Sequence, residues 1–230
     1  FAIADLAQGT LRFARLARQV DLEQPWSSDR AAALDGQTFR TWVQRNLRTP
    51  QGRAYFELYC EAVFSADLSD LSLLHALFYT RSGTDMDTLM AVDRGAQQDR
   101  IAGGSWRISE RLAADLDVRL GQPVRSVSQR EDGVRLTTRD GTTYDAQRAI
   151  ITVPPLPGWR DQLTQKVPAG SVFKVYAVYP TPFWREEGLN GQAGSDVGPV
   201  KVTFDNTPPG YDRGILMGFI EAADGREWAR

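Results

Sequence analysis

Ser171-Val-Phe-Lys-Val-Tyr-Ala-Val-Tyr179 alternates as a β-strand with two apolar faces and one lysine in its middle. Val172, Lys174, Tyr176 and Val178 share one face; Phe173, Val175, Ala177 and Tyr179 share the other. Neither face suits water, so the strand is expected inside a sheet with Lys174 drawn into the interior. Only 3 of the 27 basic residues are lysine (Lys166, Lys174, Lys201), and the rest are arginine. Burying an unpaired ammonium is costly where an apolar residue would be stable. Two accounts follow: a chemical task for Lys174, or a lysine snorkelling to water at a sheet margin.

Further strands are expected at Val200–Phe204 and Gly214–Ile220. Upstream, Val124–Arg130, Val134–Arg139 and Thr142–Tyr144 alternate around Asp132-Gly133 and Asp140-Gly141, which predicts a meander of two tight hairpins. Ala149-Ile-Ile-Thr-Val153, ended by Pro154-Pro155, reads as a buried parallel strand. Arg100-Ile-Ala-Gly-Gly-Ser105 leads into an amphipathic helix, Trp106–Leu116, with Ser105 as N-cap; Gly103–Ser105 reads as a packing turn. Residues 1 to about 82 read as helical. Leu6, Leu11, Phe13, Leu16 and Val20 recur near helical spacing, a second helix spans Thr38–Leu47, and 51–64 is apolar nearly all round and so buried. A helix capped by Ser69 or Asp70 runs to Gly83, with His75 expected on its buried face, and Cys60 reads as a small buried hydrophobe.

At 230 residues the chain has ample material for a core, and its net charge of −2 indicates no nucleic-acid surface. Arginines alternate with acids, which argues against a membrane surface, and no run approaches the ~20 apolar residues of a membrane span. One cysteine and one histidine exclude an internal disulfide, a cysteine metal cluster and any site built from several histidines; no metal is expected. Phe1 is not an initiator methionine, and 225–230 reads as a helix beginning, so a piece of a longer protein is expected. Cytoplasmic location is the default.

Four stretches together resemble the flavin-dependent amine oxidases, nearest the monoamine oxidases and their bacterial relatives: 95–112 (GAQQDRIAGGSWRISERL), 122–127 (QPVRSV), 144–155 (YDAQRAIITVPP) and 167–185 (VPAGSVFKVYAVYPTPFWR). They occur in the family's order and approximate spacing, and the likeness runs on through Met217-Gly-Phe-Ile220. The resemblance implies an α+β fold: a helical bundle region plus a mixed or antiparallel sheet forming the substrate domain, with part of the FAD-binding domain (a strand–helix–strand piece carrying the meander). It divides the chain into 1–98, helical substrate domain; 99–155, partial FAD-binding domain; and 156–230, substrate-domain sheet. The implied chemistry is FAD-dependent oxidation of an amine to an imine by hydride-equivalent transfer, with oxygen reduced to hydrogen peroxide. Amine and oxygen are the implied small-molecule partners, and a homodimer is the implied assembly.

By the same resemblance, Lys174 lies near flavin N5 through a bridging water, where burial would lower its pKa. Gln97 matches the pocket glutamine, Ala62 and Val63 line the amine cavity from a buried helix, and Met90 stands at its gate. Val124 matches a backbone contact to the adenine side of FAD, and Thr152 and Val153 match the segment passing the dinucleotide. Ordinary packing accounts for each apolar member of this set almost as well. Neither the family's G-x-G-x-x-G pyrophosphate motif nor its glycine-rich flavin segment and paired aromatics occurs in these residues. The segment is therefore expected to be the middle of the enzyme, neither holding FAD tightly nor turning over alone. An L-amino-acid oxidase on the same fold, needing an arginine for the substrate carboxylate, and a non-catalytic relative acting as a binding module are the alternatives.

Overall fold

The computed structural model describes residues 1–152 and 170–229. They form two compact units, one of residues 1–99 with 170–229 and another of residues 100–152.

The first unit opens with helices α1 (Ala2–Ala17), α2 (Ala31–Asp35), α3 (Phe39–Asn46), α4 (Pro50–Phe64), α5 (Leu73–Ser82) and α6 (Met86–Met90). Side-chain caps set most starts. Thr38 accepts from Thr41 N–H, Thr49 from Gly52 N–H with Pro50 as first helical residue, and Asp85 from Thr88 N–H. Ser72, not Ser69 or Asp70, caps α5 by accepting from His75 N–H at 3.1 Å. The reason is tertiary: an isolated bridge pairs Thr38 with Ser72, and Leu73 N–H donates to Gln37, so Ser72 itself is held extended and the helix begins after it.

Phe13, Phe39, Trp42 and Phe56 interlock at the bundle centre, with ring centroids 5.1 Å apart for Phe13–Phe39 and 5.7 Å for Phe13–Phe56. Val43, Leu47, Tyr59, Cys60, Leu73 and Leu77 complete this core. Burial pushes the Cys60 thiol up to about 12, so it behaves as a small apolar side chain. His75 departs from expectation. It is exposed, its imidazole among the rings of Phe64, Phe78 and Tyr79, because Leu73, Ala76, Leu77 and Thr80 occupy the inner face of α5.

The rest of this unit is an antiparallel sheet ordered β4-β7-β6-β5, from β4 (Val172–Tyr179), β5 (Ala193–Gly194), β6 (Val200–Asp205) and β7 (Gly214–Glu221). Helix α4 packs on β6 and β7, and Val202 and Ile220 are buried. Beyond β4, the turn Phe183–Glu186 buries Trp184, whose indole N–H donates to Asp205 at 2.9 Å. A helix, Ala222–Trp228, follows β7 directly.

The second unit holds helix α7 (Trp106–Ala113) and the meander β1 (Val124–Arg130), β2 (Gly133–Thr138), β3 (Thr143–Ala146), paired in that order. Both expected hairpins form, with Gly133 and Gly141 at φ +154° and +88° where side chains are disfavoured. Two expectations fail here. Ser105 has helical backbone and makes no capping bond, and α7 stops at Ala113. The stretch 149–152 is not a strand, and Ile150 is 90% exposed. A parallel strand needs a neighbour to satisfy its backbone, and among the described residues none pairs with it. The strand–helix–strand piece is thus represented by its helix alone. No helix among the described residues is long and apolar enough to cross a membrane.

Candidate active site

Lys174 stands on β4 opposite Phe219 of β7. Its ammonium lies 5.7 Å from the Phe219 ring centroid, a cation–π contact. The side chain is exposed, which overturns the expectation of burial. The reason is topological: β4 forms an edge of the sheet, and Val172, Phe173, Tyr176 and Val178 are exposed with it. Apolar alternation on both faces was the signal for burial, and among the described residues it marks an uncovered margin instead.

The expected cavity residues lie on α4, α6 and the loop after α6. Ala62 and Val63 lie in the last turn of α4, half-buried, and Val63 packs on the helical core. Helix α6 packs against α4 and ends at Met90, which also touches that core. Its carbonyl accepts from Gln192 Nε2 at 2.9 Å. The following loop folds back, with Ala96 N–H donating to Thr88 and Gln97 N–H to Ala91. Gln97 is exposed, and its amide nitrogen donates to the Leu89 carbonyl at 3.3 Å. The structure therefore folds the loop bearing Gln97 back onto the end of α6, where Met90 lies.

A cleft of about 420 Å3 opens between α4 and the β5–β6 edge, lined by Ala54, Tyr55, Glu57, Leu58 and Glu61 with Gly194, Ser195, Asp196 and Lys201. None of the expected site residues lines it. Burial holds the Glu61 carboxyl above its usual range, with Lys201 opposing the shift and Asp224 adding to it.

In the second unit Val124 begins β1 and pairs with Thr138 just before a bulge, 49% exposed. Thr152 is exposed and outside regular structure. Val153 lies outside the described residues. An open strand start and a small exposed threonine suit close backbone approach by a dinucleotide. No pyrophosphate-cradling G-x-G-x-x-G occurs in the sequence.

A family model described as flavin containing amine oxidoreductase matches residues 3–230. The chain belongs to that family. This amine oxidoreductase sequence is 30% identical over 243 residues to a Dictyostelium discoideum protein named "Probable flavin-containing monoamine oxidase A", covering 100% of the chain and 53% of the relative. It is 32% identical over 225 residues to an L-amino acid dehydrogenase of Synechocystis, covering 91% and 46%. Its fold matches wild-type putrescine oxidase bound to putrescine with a TM-score of 0.84 at 28% identity, covering 100% of the chain and 54% of that structure. The chain spans about half the length of these relatives. The family's cofactor is FAD.

Two buried acids that hold elements together gave no signal in sequence. Asp5 is buried in α1 and accepts from Arg48 N–H, Thr49 N–H and Thr49 Oγ1 at 2.8–2.9 Å, fixing the α3–α4 turn. Glu221, at the end of β7, is 5% exposed and accepts from Ser65 Oγ at 2.8 Å. An acid four residues into an amphipathic helix, or closing a strand, reads as a solvated charge; only the tertiary partner shows otherwise.

Proposed function

We propose that this chain supplies the substrate-binding part of an FAD-dependent oxidase of primary or secondary amines. The observation that carries the reading is the match of the family model to nearly the whole chain, supported by the packing of α6, which ends at Met90, against α4, the helix that bears Ala62 and Val63.

FAD, when bound, supplies the two-electron acceptor that takes the amine to an imine, and oxygen then accepts those electrons to give hydrogen peroxide. Water hydrolyses the released imine. The chain's own residues act around that step. Ala62, Val63 and Met90 offer apolar walls, which favour an uncharged amine over its ammonium form because burying an unpaired charge is costly. Gln97 offers an amide that can donate and accept, orienting the amine. Lys174 Nζ holds a water by donation, placing a proton donor at the reacting centre. Val124 offers a backbone contact to the adenine side of FAD, and Thr152 belongs to the segment that passes the dinucleotide. In this reading the isolated segment is inactive.

The L-amino acid dehydrogenase among the relatives favours a second substrate class. Recognition of a carboxylate calls for an arginine in the cavity, and none of the residues assigned to the cavity is one. The test is peroxide release by the full-length enzyme against simple amines and L-amino acids side by side. Turnover of amines alone is expected; turnover of amino acids alone would replace the first reading with the second.

A further inference from the structure

A buried acid sits where three stretches of backbone meet at the end of α4. Ser65, just past α4, adopts a left-handed conformation (φ 50°, ψ 36°), and Ala222, just past β7, has φ 50°. Neither is glycine, so both positions carry backbone strain. Ser65 C=O accepts from Ser171 N–H at 3.2 Å, and Ser171 C=O accepts from Ala222 N–H at 2.9 Å. A side chain on Gly170 would start 2.9 Å from the carbonyl oxygens of both Phe64 and Ser65. The Ser65 hydroxyl donates to Glu221 Oε1 at 2.8 Å, while Glu221 Oε2 is buried and, among the described residues, has no hydrogen-bond partner.

We propose that Ser65 and Glu221 form a latch that positions the last turn of α4 against the start of β4. The proposal rests on the amine oxidase reading above. Two residues before Ser65 is Val63, with Ala62 beside it; three residues after Ser171 is Lys174. The latch therefore ties α4, which carries the expected amine cavity residues, to the end of β7, where Glu221 pairs with Val172 at the start of β4, the strand of the expected lysine. Glycine at 65 and an apolar residue at 221 would each relieve a local cost. A directional side-chain bond between α4 and β7 is what both departures from local preference have in common.

Burial holds the Glu221 carboxyl up at about 7, with the Ser65 hydroxyl opposing and the charge of Glu61 adding to the shift. Glu61 on α4 faces it, and Glu61 in turn feels Lys201 on β6, Asp224 on the following helix 3.9 Å from Lys201, and Asp67, which with Asp70 pairs with Arg226. A folded-state value above the ordinary 4.5 means that the stabilisation is complete below that value and is lost as pH rises through about 7. Above that pH a buried carboxylate meets the charge of Glu61, and the latch weakens.

The test uses full-length holoenzyme, with KM, expressed as the concentration of uncharged amine so that the substrate's own titration drops out, and the thermal midpoint both followed from pH 6 to 8.5. The wild type is expected to lose thermal stability and to raise KM by about threefold over that range, while Glu221→Gln, which stays uncharged, shows neither change. Ser65→Gly suits the left-handed backbone but deletes the hydroxyl. It is expected to keep the thermal midpoint and raise KM about threefold at pH 6 with kcat within about twofold, which a purely structural role would not do. A pH dependence in Glu221→Gln matching the wild type, or an unchanged KM in Ser65→Gly, would overturn the latch. Absence of amine turnover in the wild type would sink the oxidase reading instead, and the thermal profiles would still decide whether the latch exists.

Discussion

A lysine on an edge strand meets water whatever its neighbours are made of. The alternation of 171–179 was legible as a strand, and β4 forms as read; whether its faces are covered depends on residues distant in sequence, which alternation does not report. The exposed Lys174 matches the sheet-margin account within this chain, while the family resemblance assigns it a place at the flavin. Lys174→Met in the full-length enzyme separates the two. The oxidase reading expects a folded variant whose flavin reduction or reoxidation slows by about tenfold or more. Rates within about twofold of wild type would make the lysine structural. Residues such as Asp5 and Glu221 stayed hidden because an acid looks the same in sequence whether it is solvated or holding another element.

Elements fared better than residues, since periodicity and caps are local. The helices over 39–46 and 50–64 and both hairpins follow from Thr38, Thr49-Pro50 and the Asp-Gly pairs. Misreadings came where a tertiary contact decides: the bridge to Thr38 moves the α5 cap to Ser72, and 149–152 lacks a pairing strand among the described residues. Two predictions belong here. Phe56 is fully buried at the centre of four aromatic rings, so Phe56→Ala should cost about 3–5 kcal/mol in denaturant unfolding; a loss under about 1 kcal/mol would mean that the core is not packed as described. Hydrogen bonds to Asp5, led by Thr49 N–H, hold its carboxyl below the ordinary 3.8. Its contribution is present above that value and lost as pH falls through the lower folded one. The thermal midpoint of Asp5→Ala should therefore lie below wild type at pH 7, with the gap narrowing below about pH 4. A gap independent of pH would show that Asp5 acts through packing alone.

At the scale of the whole molecule, the chain matches its family along nearly its full extent yet spans about half the length of its relatives. The family was legible from four short motifs because each combines residue types that packing alone has little reason to place together. The dinucleotide contacts were less so, since Val124 and Thr152 are ordinary residues whose service would be through backbone. Purified alone, the segment should carry far less than one flavin per chain by absorbance, and stoichiometric flavin would refute its description as a partial site. The central claim is amine oxidation. It is tested most directly by mixing full-length, flavin-loaded enzyme with a panel of primary and secondary amines without oxygen and following the flavin absorbance. Bleaching by at least one amine, reversed on admitting oxygen with release of peroxide, is the predicted result. Flavin that stays oxidised with every amine would contradict the account.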